Sequence, residues 1–293
     1  MKILIGLMLA LGLILTSTPS THAADGKLNV VAAENFYGDI ARQIGGDEVT
    51  VASIMSNPDQ DPHLFETTPS TVREIAAAQV IILNGADYDP WMDKLLKASP
   101  KSGQIAIVVA DLVGKKAGDN PHLWYDPITM PAAAKALADA FAKADPAHKD
   151  GYAARLKTFL ASLKLINEKI TAIRGKFAGT SVTASEPVFG YMANALGLKM
   201  HNESFQLSIM NNTEPSAHDV AAFQDDLKNH KVRVMFYNKQ ASDKAVQSLV
   251  DIAHASKIPV VGVTETEPPG LSYQQWMLTQ LNETEKALAA SSS

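Results

Sequence analysis

Apolar residues along this chain fall into two kinds of pattern, short continuous runs and longer stretches with apolar positions three and four apart. Leu28 to Ala33, Val49 to Met55, Val80 to Leu83 and Ile105 to Val109 are runs of the first kind and read as buried strands. Between them, Glu34 to Ile44, Thr68-Pro69-Ser70 through Ala78, and Pro90 to Leu96 have helical spacing, the first stopped by Gly45-Gly46. An Ala-rich helix over 129–144 is interrupted at Asp145-Pro146. Beyond it, apolar positions from Tyr152 to Ile173 predict one helix from Ala147 to about Phe177. About thirty helical residues span roughly 45 Å, more than a single α/β layer needs, so this helix reads as a spine joining two lobes. The alternation then restarts, with strands over 181–184, 198–201, 232–236 and 259–263 and helices over 188–195, 216–230, 242–256 and 273–290. Short connections between alternating strands and helices signal βαβ units. The expected fold is α/β: two lobes, each a mainly parallel sheet flanked by helices, with one long linking helix between them. The expected boundaries are 24–146 for the first lobe, 147–178 for the linking helix and 179–293 for the second lobe.

Residues 1–23 read differently. Lys2 precedes an apolar run from Ile3 to Leu15, then a polar stretch and Thr21-His22-Ala23-Ala24. This is the order of an export signal peptide, cut after Ala23. The run is shorter than the roughly 20 residues a membrane span requires. The mature chain is therefore expected to be soluble and exported, hence periplasmic in a bacterium with two membranes.

Composition narrows the function classes. The 293 residues are 46% hydrophobic with a net charge of −5, ordinary for a globular protein and long enough for two domains. No basic stripe is present to displace counterions from a nucleic acid. The absence of cysteine removes disulfides, thiolate metal sites, cysteine nucleophiles and a lipid-bearing cysteine. Neither a glycine-rich phosphate loop nor a GxSxG elbow occurs.

Two loops carry the candidate chemistry. Asp61-Pro62-His63-Leu64 and Asn120-Pro121-His122-Leu123 each set a histidine directly behind a proline. Proline fixes its own φ and biases its predecessor away from the helical region, so both histidines are presented from stiff turns. Imidazole is the commonest protein ligand for transition metals, which points to one divalent ion shared by His63 and His122. A single loop histidine is more often exposed and without function, and the spacing fits no short zinc motif. Both loops follow strands and should emerge at the sheet's carboxyl edge, where ligands bind in open α/β sheets.

A site between lobes needs donors at the strand ends of the second half. Glu186 follows the apolar run Val182 to Ala184, and Glu265 follows Val260 to Val263, with Glu267 two residues on. Glu186 read alone serves equally well as a carboxylate at a helix N-terminus. Glu265 and Glu267 read alone suit a solvated loop. His201, on a strand, is the reserve imidazole. Two imidazoles and two carboxylates suit zinc, manganese or ferrous iron.

In combination these residues resemble the zinc- and manganese-type solute-binding proteins of bacterial ABC transporters. The resemblance rests on Asp61-Pro62-His63 with Glu66, on Asn84-Gly85-Ala86 leading to Pro90-Trp91-Met92, and on Asn120-Pro121-His122-Leu123-Trp124 with Asp126-Pro127. Phe189-Gly190-Tyr191 and Glu214-Pro215-Ser216 extend it. It implies a metal buried between two lobes, with His63, His122, Glu186 and Glu265 as ligands. Glu265 is expected rather than Glu267 because it lies nearer the strand end. The resemblance also implies one bound Zn2+ or Mn2+ as transported ligand, no catalysis, and an ABC-transporter permease as partner to a monomer without lipid anchor or nucleic acid. Many zinc members carry histidine where this chain has Glu186; the glutamate matches manganese members. The competing classes are a periplasmic zinc hydrolase with an open coordination position and a metal-free sugar or peptide binder. The second would want aromatic platforms, and aromatics are 6% of the chain.

Overall fold

The computed structural model describes residues 26–58, 65–240 and 244–290. The export signal read at 1–23 and the ligand His63 lie outside the described residues. In the first lobe, β1 (Leu28–Glu34), β2 (Val49–Met55), β3 (Val80–Leu83) and β4 (Ile105–Val108) form one parallel sheet in the order β2-β1-β3-β4. β3 is buried along its whole length, as a strand covered on both faces must be, and its sequence is accordingly an unbroken Val-Ile-Ile-Leu run. In the second lobe, β5 (Ser181–Ala184), β6 (Lys199–His201), β7 (Met235–Asn238) and β8 (Val260–Val263) repeat the arrangement as β6-β5-β7-β8. Each sheet therefore has a point where the strand order reverses, between β1 and β3 and between β5 and β7. Crevices open at such points, at the carboxyl ends of the strands.

The helices follow the sequence pattern closely at several starts. Thr68 caps the helix Pro69–Ala77 by accepting from the Thr71 amide, and Thr71 returns a bond from the Thr68 amide. Pro69 sits in the first turn, where its missing N–H leaves no helix bond unmade. Helix Asn35–Gly45 buries Phe36, Tyr37, Ile40, Ala41 and Ile44 at helical spacing.

The spine departs from expectation. Instead of one helix from 147 to 177, it comprises a 3-10 turn at Pro146–His148 and two helices, Lys149–Ser162 and Lys164–Phe177, parted at Leu163. The Ser162 hydroxyl donates to the Phe159 carbonyl at 2.6 Å and accepts from the Gln274 side chain at 2.8 Å. A side chain of the last helix thus meets the chain where the two spine helices part. A helix at Glu203–Met210, absent from the sequence expectations, buries Phe205 and Ile209.

One apolar core runs through both lobes. It joins Val30, Phe36, Ile82 and Trp124 of the first lobe to Val182, Phe189, Phe236 and Trp276 of the second. Aromatic rings form its seam. Trp124 packs on Phe36 at 4.5 Å and on Tyr88 at 4.9 Å, Tyr125 on Phe189 at 5.4 Å, and Phe189 stacks on Phe236 at 4.4 Å.

Candidate metal centre

The structure sets His122 beside Glu265 and, through Asn238, ties Glu265 to Glu186; among the described residues alone no three side chains stand close enough to hold a metal ion. Glu186 follows Ala184, the last residue of β5, by two positions, and Glu265 follows Val263 of β8 by two, so both sit at the carboxyl edge of the second sheet. His122 reaches them from the first lobe through the loop behind the short helix Val109–Leu112. His122 is 0%, Glu186 5% and Glu265 1% exposed. The His122 Nε2 stands 3.3 Å from the Glu265 Oε2. Asn238, the last residue of β7, links the two acids: its side-chain amide donates to the Glu186 Oε2 and, at 2.7 Å, to the Glu265 Oε1. The Tyr88 hydroxyl crosses from the first lobe to donate to the Glu265 Oε2 at 3.1 Å.

The imidazole is oriented by its own loop. Asn120 donates its amide to the Pro187 carbonyl at 2.8 Å, which turns its Oδ1 toward His122. That oxygen takes the His122 backbone amide at 3.1 Å and the Nδ1 at 2.7 Å. An amide oxygen only accepts, so Nδ1 carries a proton, and Nε2 is the ring nitrogen turned toward Glu265. This is the arrangement of a metal-ligating histidine, whose second ring nitrogen donates to an oxygen that fixes tautomer and angle.

Beneath the loop lies a buried polar frame. The Asn84 amide donates to the Pro121 carbonyl at 2.8 Å, and its Oδ1 accepts from the Tyr37 hydroxyl at 2.8 Å. Asp89 closes the turn behind β3 by accepting from the amides of Asn84 at 2.7 Å and Gly85 at 2.8 Å. Burial pushes the Asp89 carboxyl up to about 6 despite those bonds. Glu34, wholly buried at the end of β1, is held well above the usual carboxylate range by burial and then by the Asp89 charge. The Tyr88 hydroxyl is raised by burial first and by Glu265 second.

The remaining sequence candidates are placed elsewhere. Glu267 exchanges two backbone hydrogen bonds with the Asn35 side chain, at 2.7 and 2.9 Å. Its carboxyl lines a separate cleft with Asp39 and Arg42, and burial followed by Asp39 pushes it up to about 8, against the lowering effect of Arg42. Glu186 makes no capping bond to the 3-10 turn Pro187–Phe189 that follows it; its partner is Asn238. His201 is held by Asp226 at 2.9 Å and Ser181 at 3.1 Å, on the outer strand of the second sheet. Tyr88, Asn238 and Gln240 were not legible as site residues. The one signal for the last two is a polar pair two residues apart directly behind the apolar run that ends at Phe236.

Comparison with known proteins gives a consistent result. The family model described as zinc-uptake complex component A, periplasmic, matches residues 30–287. The chain is similar to the metal ABC transporter substrate-binding lipoprotein ScbA of Streptococcus cristatus, with 25% identity over 92% of each chain. It is similar also to the iron ABC transporter substrate-binding lipoprotein MtsA of Streptococcus pyogenes, at 24% identity over 99% of this chain and 98% of that one. Among solved structures, the periplasmic zinc-binding protein TroA of Treponema pallidum superposes with a TM-score of 0.77 at 20% identity, covering 90% of this chain and 99% of that one. A manganese-bound periplasmic metal-binding protein of Candidatus Liberibacter asiaticus gives 0.72 at 19% identity, covering 89% and 100%. These structural likenesses establish the two-lobed α/β fold. With the family model spanning nearly all of the sequence, the chain belongs to the zinc-uptake complex component A family: periplasmic metal-binding proteins that serve ABC transporters as their solute-binding component, and not enzymes.

Proposed function

We propose that this protein captures one zinc or manganese ion with His63, His122, Glu186 and Glu265 and passes it to the permease of an ABC transporter. The observation that carries this reading is the 3.3 Å between the His122 Nε2 and the Glu265 Oε2. That is longer than the roughly 2.7–2.9 Å of a charge-assisted hydrogen bond. It equals the separation of two donors that each lie about 2.0–2.1 Å from a tetrahedral zinc, roughly 3.3 Å. Charge supports the same reading. Two buried carboxylates are costly without a counter-charge, and a divalent cation with two neutral imidazoles balances them.

Relatives of the same fold are named for zinc, manganese and iron, so the fold does not choose the ion. Four protein donors would close a tetrahedral shell and leave no position for a catalytic water, which accords with a carrier rather than a hydrolase. ScbA and MtsA are named lipoproteins; lacking a cysteine for a thioether-linked lipid, this chain is proposed to act as a soluble monomer. The test is metal titration of chelator-stripped protein with zinc and with manganese. One ion per chain, lost in His122→Ala, is the expected result; absence of stoichiometric binding of either ion would contradict the proposal.

A further inference from the structure

Asn35 opens the helix Asn35–Gly45 directly behind β1, at the carboxyl edge of the first sheet. Its side-chain amide pairs with the backbone of a single residue of the other lobe. Nδ2 donates to the Glu267 carbonyl at 2.7 Å, and Oδ1 accepts from the Glu267 amide at 2.9 Å. A backbone N–H only donates and a carbonyl only accepts, so the Asn35 amide fits in one orientation. From its own lobe the same segment is held by Gln240, whose Oε1 accepts from the amides of Glu265 at 2.6 Å and Thr266 at 3.2 Å. Tyr125 of the first lobe donates to the Thr264 carbonyl at 3.0 Å. Glu265 therefore rides on a stretch of backbone gripped from both lobes, with a first-lobe anchor on either side of it.

We infer that Asn35 is a positioning residue for ion exchange: its paired bonds to Glu267 latch the segment that carries Glu265 against the first lobe, and so set the rate at which the ion enters and leaves. The inference rests on the proposed metal site. His122 and Glu265 come from different lobes and are both buried, so an ion beside them passes only when the groups around it separate. Withdrawal of the Glu265 segment from the first lobe pulls on the Asn35 bonds, two residues along the chain. Those bonds reach backbone atoms of Glu267 and leave the Glu265 carboxylate untouched, so an ion between the lobes leaves them as they are. A contact made alike in the empty and the loaded protein cancels from the affinity. Broken in the opened state between the two, it slows passage in both directions. Tyr125 gives this segment one hydrogen bond and Asn35 two, which makes Asn35 the stronger of the two anchors.

The test uses the full protein, wild type and the variants Asn35→Ala and Asn35→Asp. Asp keeps the size of the side chain should Ala fail to fold, and sets an oxygen against the Glu267 carbonyl in place of the donor. Stopped-flow mixing times the release of zinc and of manganese into excess chelator and their uptake by chelator-stripped protein, and competition titration reads the affinity. Two hydrogen bonds of ordinary net strength correspond to about tenfold in a rate. Release and uptake should both quicken by about that factor, with affinity within about threefold of wild type. Arg155→Ala, which loosens the first lobe away from this segment, is the control for lost stability and should leave both rates alone. Unchanged rates, faster release with a matching loss of affinity, or the same quickening in Arg155→Ala would overturn the inference and leave Asn35 a structural support. Wild-type protein that takes up neither ion would instead overturn the proposed function, and this inference with it.

Discussion

Glu265 and Glu267 are two residues apart on one extended segment, and periodicity alone cannot separate them. The structure separates their surroundings. Glu265 shares Asn238 with Glu186 and faces His122, whereas Glu267 lies with Asp39 and Arg42 in a different cleft. Glu265→Gln should weaken metal binding by about 100-fold or more, and Glu267→Gln should leave it within about threefold, read by calorimetric titration in one buffer. The reverse order would move the site into the turn beyond β8. Asp89 supports a second prediction, on the metal-free protein. Its pKa rises from 3.8 to about 6 on folding, chiefly by burial. A raised carboxyl keeps its proton longer in the folded chain, so stability is full below about pH 4 and falls as pH rises through 6, by roughly 3 kcal/mol. Glu34, raised further, acts in the same direction. Asp89→Asn should therefore destabilise the protein most near pH 4, with the deficit shrinking by pH 7 in urea unfolding. A deficit independent of pH would mean that Asp89 has an ordinary pKa. Glu186 and Glu265 were legible in the sequence because each stands directly behind an apolar run, and apolar runs in α/β chains end at the ligand edge. Asn238 was not, because its role lies in donors and acceptors contributed by Ser185, Gln240 and two acids distant in sequence.

Strand order was readable throughout, since buried strands write themselves as short apolar runs, whereas the helix Glu203–Met210 was missed. Strand ends were less readable. The run Val232 to Phe236 suggests a strand ending at Phe236, yet β7 continues to Asn238, which pairs with Val263, and the Lys239 amide still bonds to the Val263 carbonyl at 3.0 Å. Backbone pairing outlasts hydrophobicity there because the polar residues at the strand's end serve the site. The spine break at Leu163 was equally hidden; beside it Ser162 meets Gln274 of the last helix, Tyr273–Ala290, more than a hundred residues on. The spine also holds the first lobe. Arg155 donates to the carbonyls of Ile44 at 2.7 Å and Gly45 at 2.9 Å and pairs with Glu48 at 2.7 Å, capping the C-terminus of helix Asn35–Gly45. Arg155→Ala should cost about 2–3 kcal/mol in denaturant unfolding, with metal affinity little changed, because the cap stabilises the scaffold and touches none of the proposed ligands. A loss below about 0.5 kcal/mol would show that water replaces the guanidinium at no penalty.

The two lobes behave as one packed body. Tyr125 donates to the Thr264 carbonyl at 3.0 Å, Tyr191 to the Asn120 carbonyl at 2.8 Å and Tyr273 to the Trp124 carbonyl at 2.9 Å, each across the seam. Lys169 and Lys176 of the spine both grip Glu285 of the last helix, at 2.5 and 2.7 Å. A shared core and a helical link resist wide opening, so ion exchange should proceed through small displacements around the site rather than through a broad hinge. On the proposed function, one divalent ion sits where the carboxyl edges of the two sheets meet. Anomalous diffraction from crystals grown with zinc, collected above and below the zinc edge, tests it most directly. One strong peak per chain is expected within about 2.3 Å of the His122 Nε2 and of carboxylate oxygens of Glu186 and Glu265. A peak beside Glu267 and Asp39 instead, or none between the lobes, would contradict it.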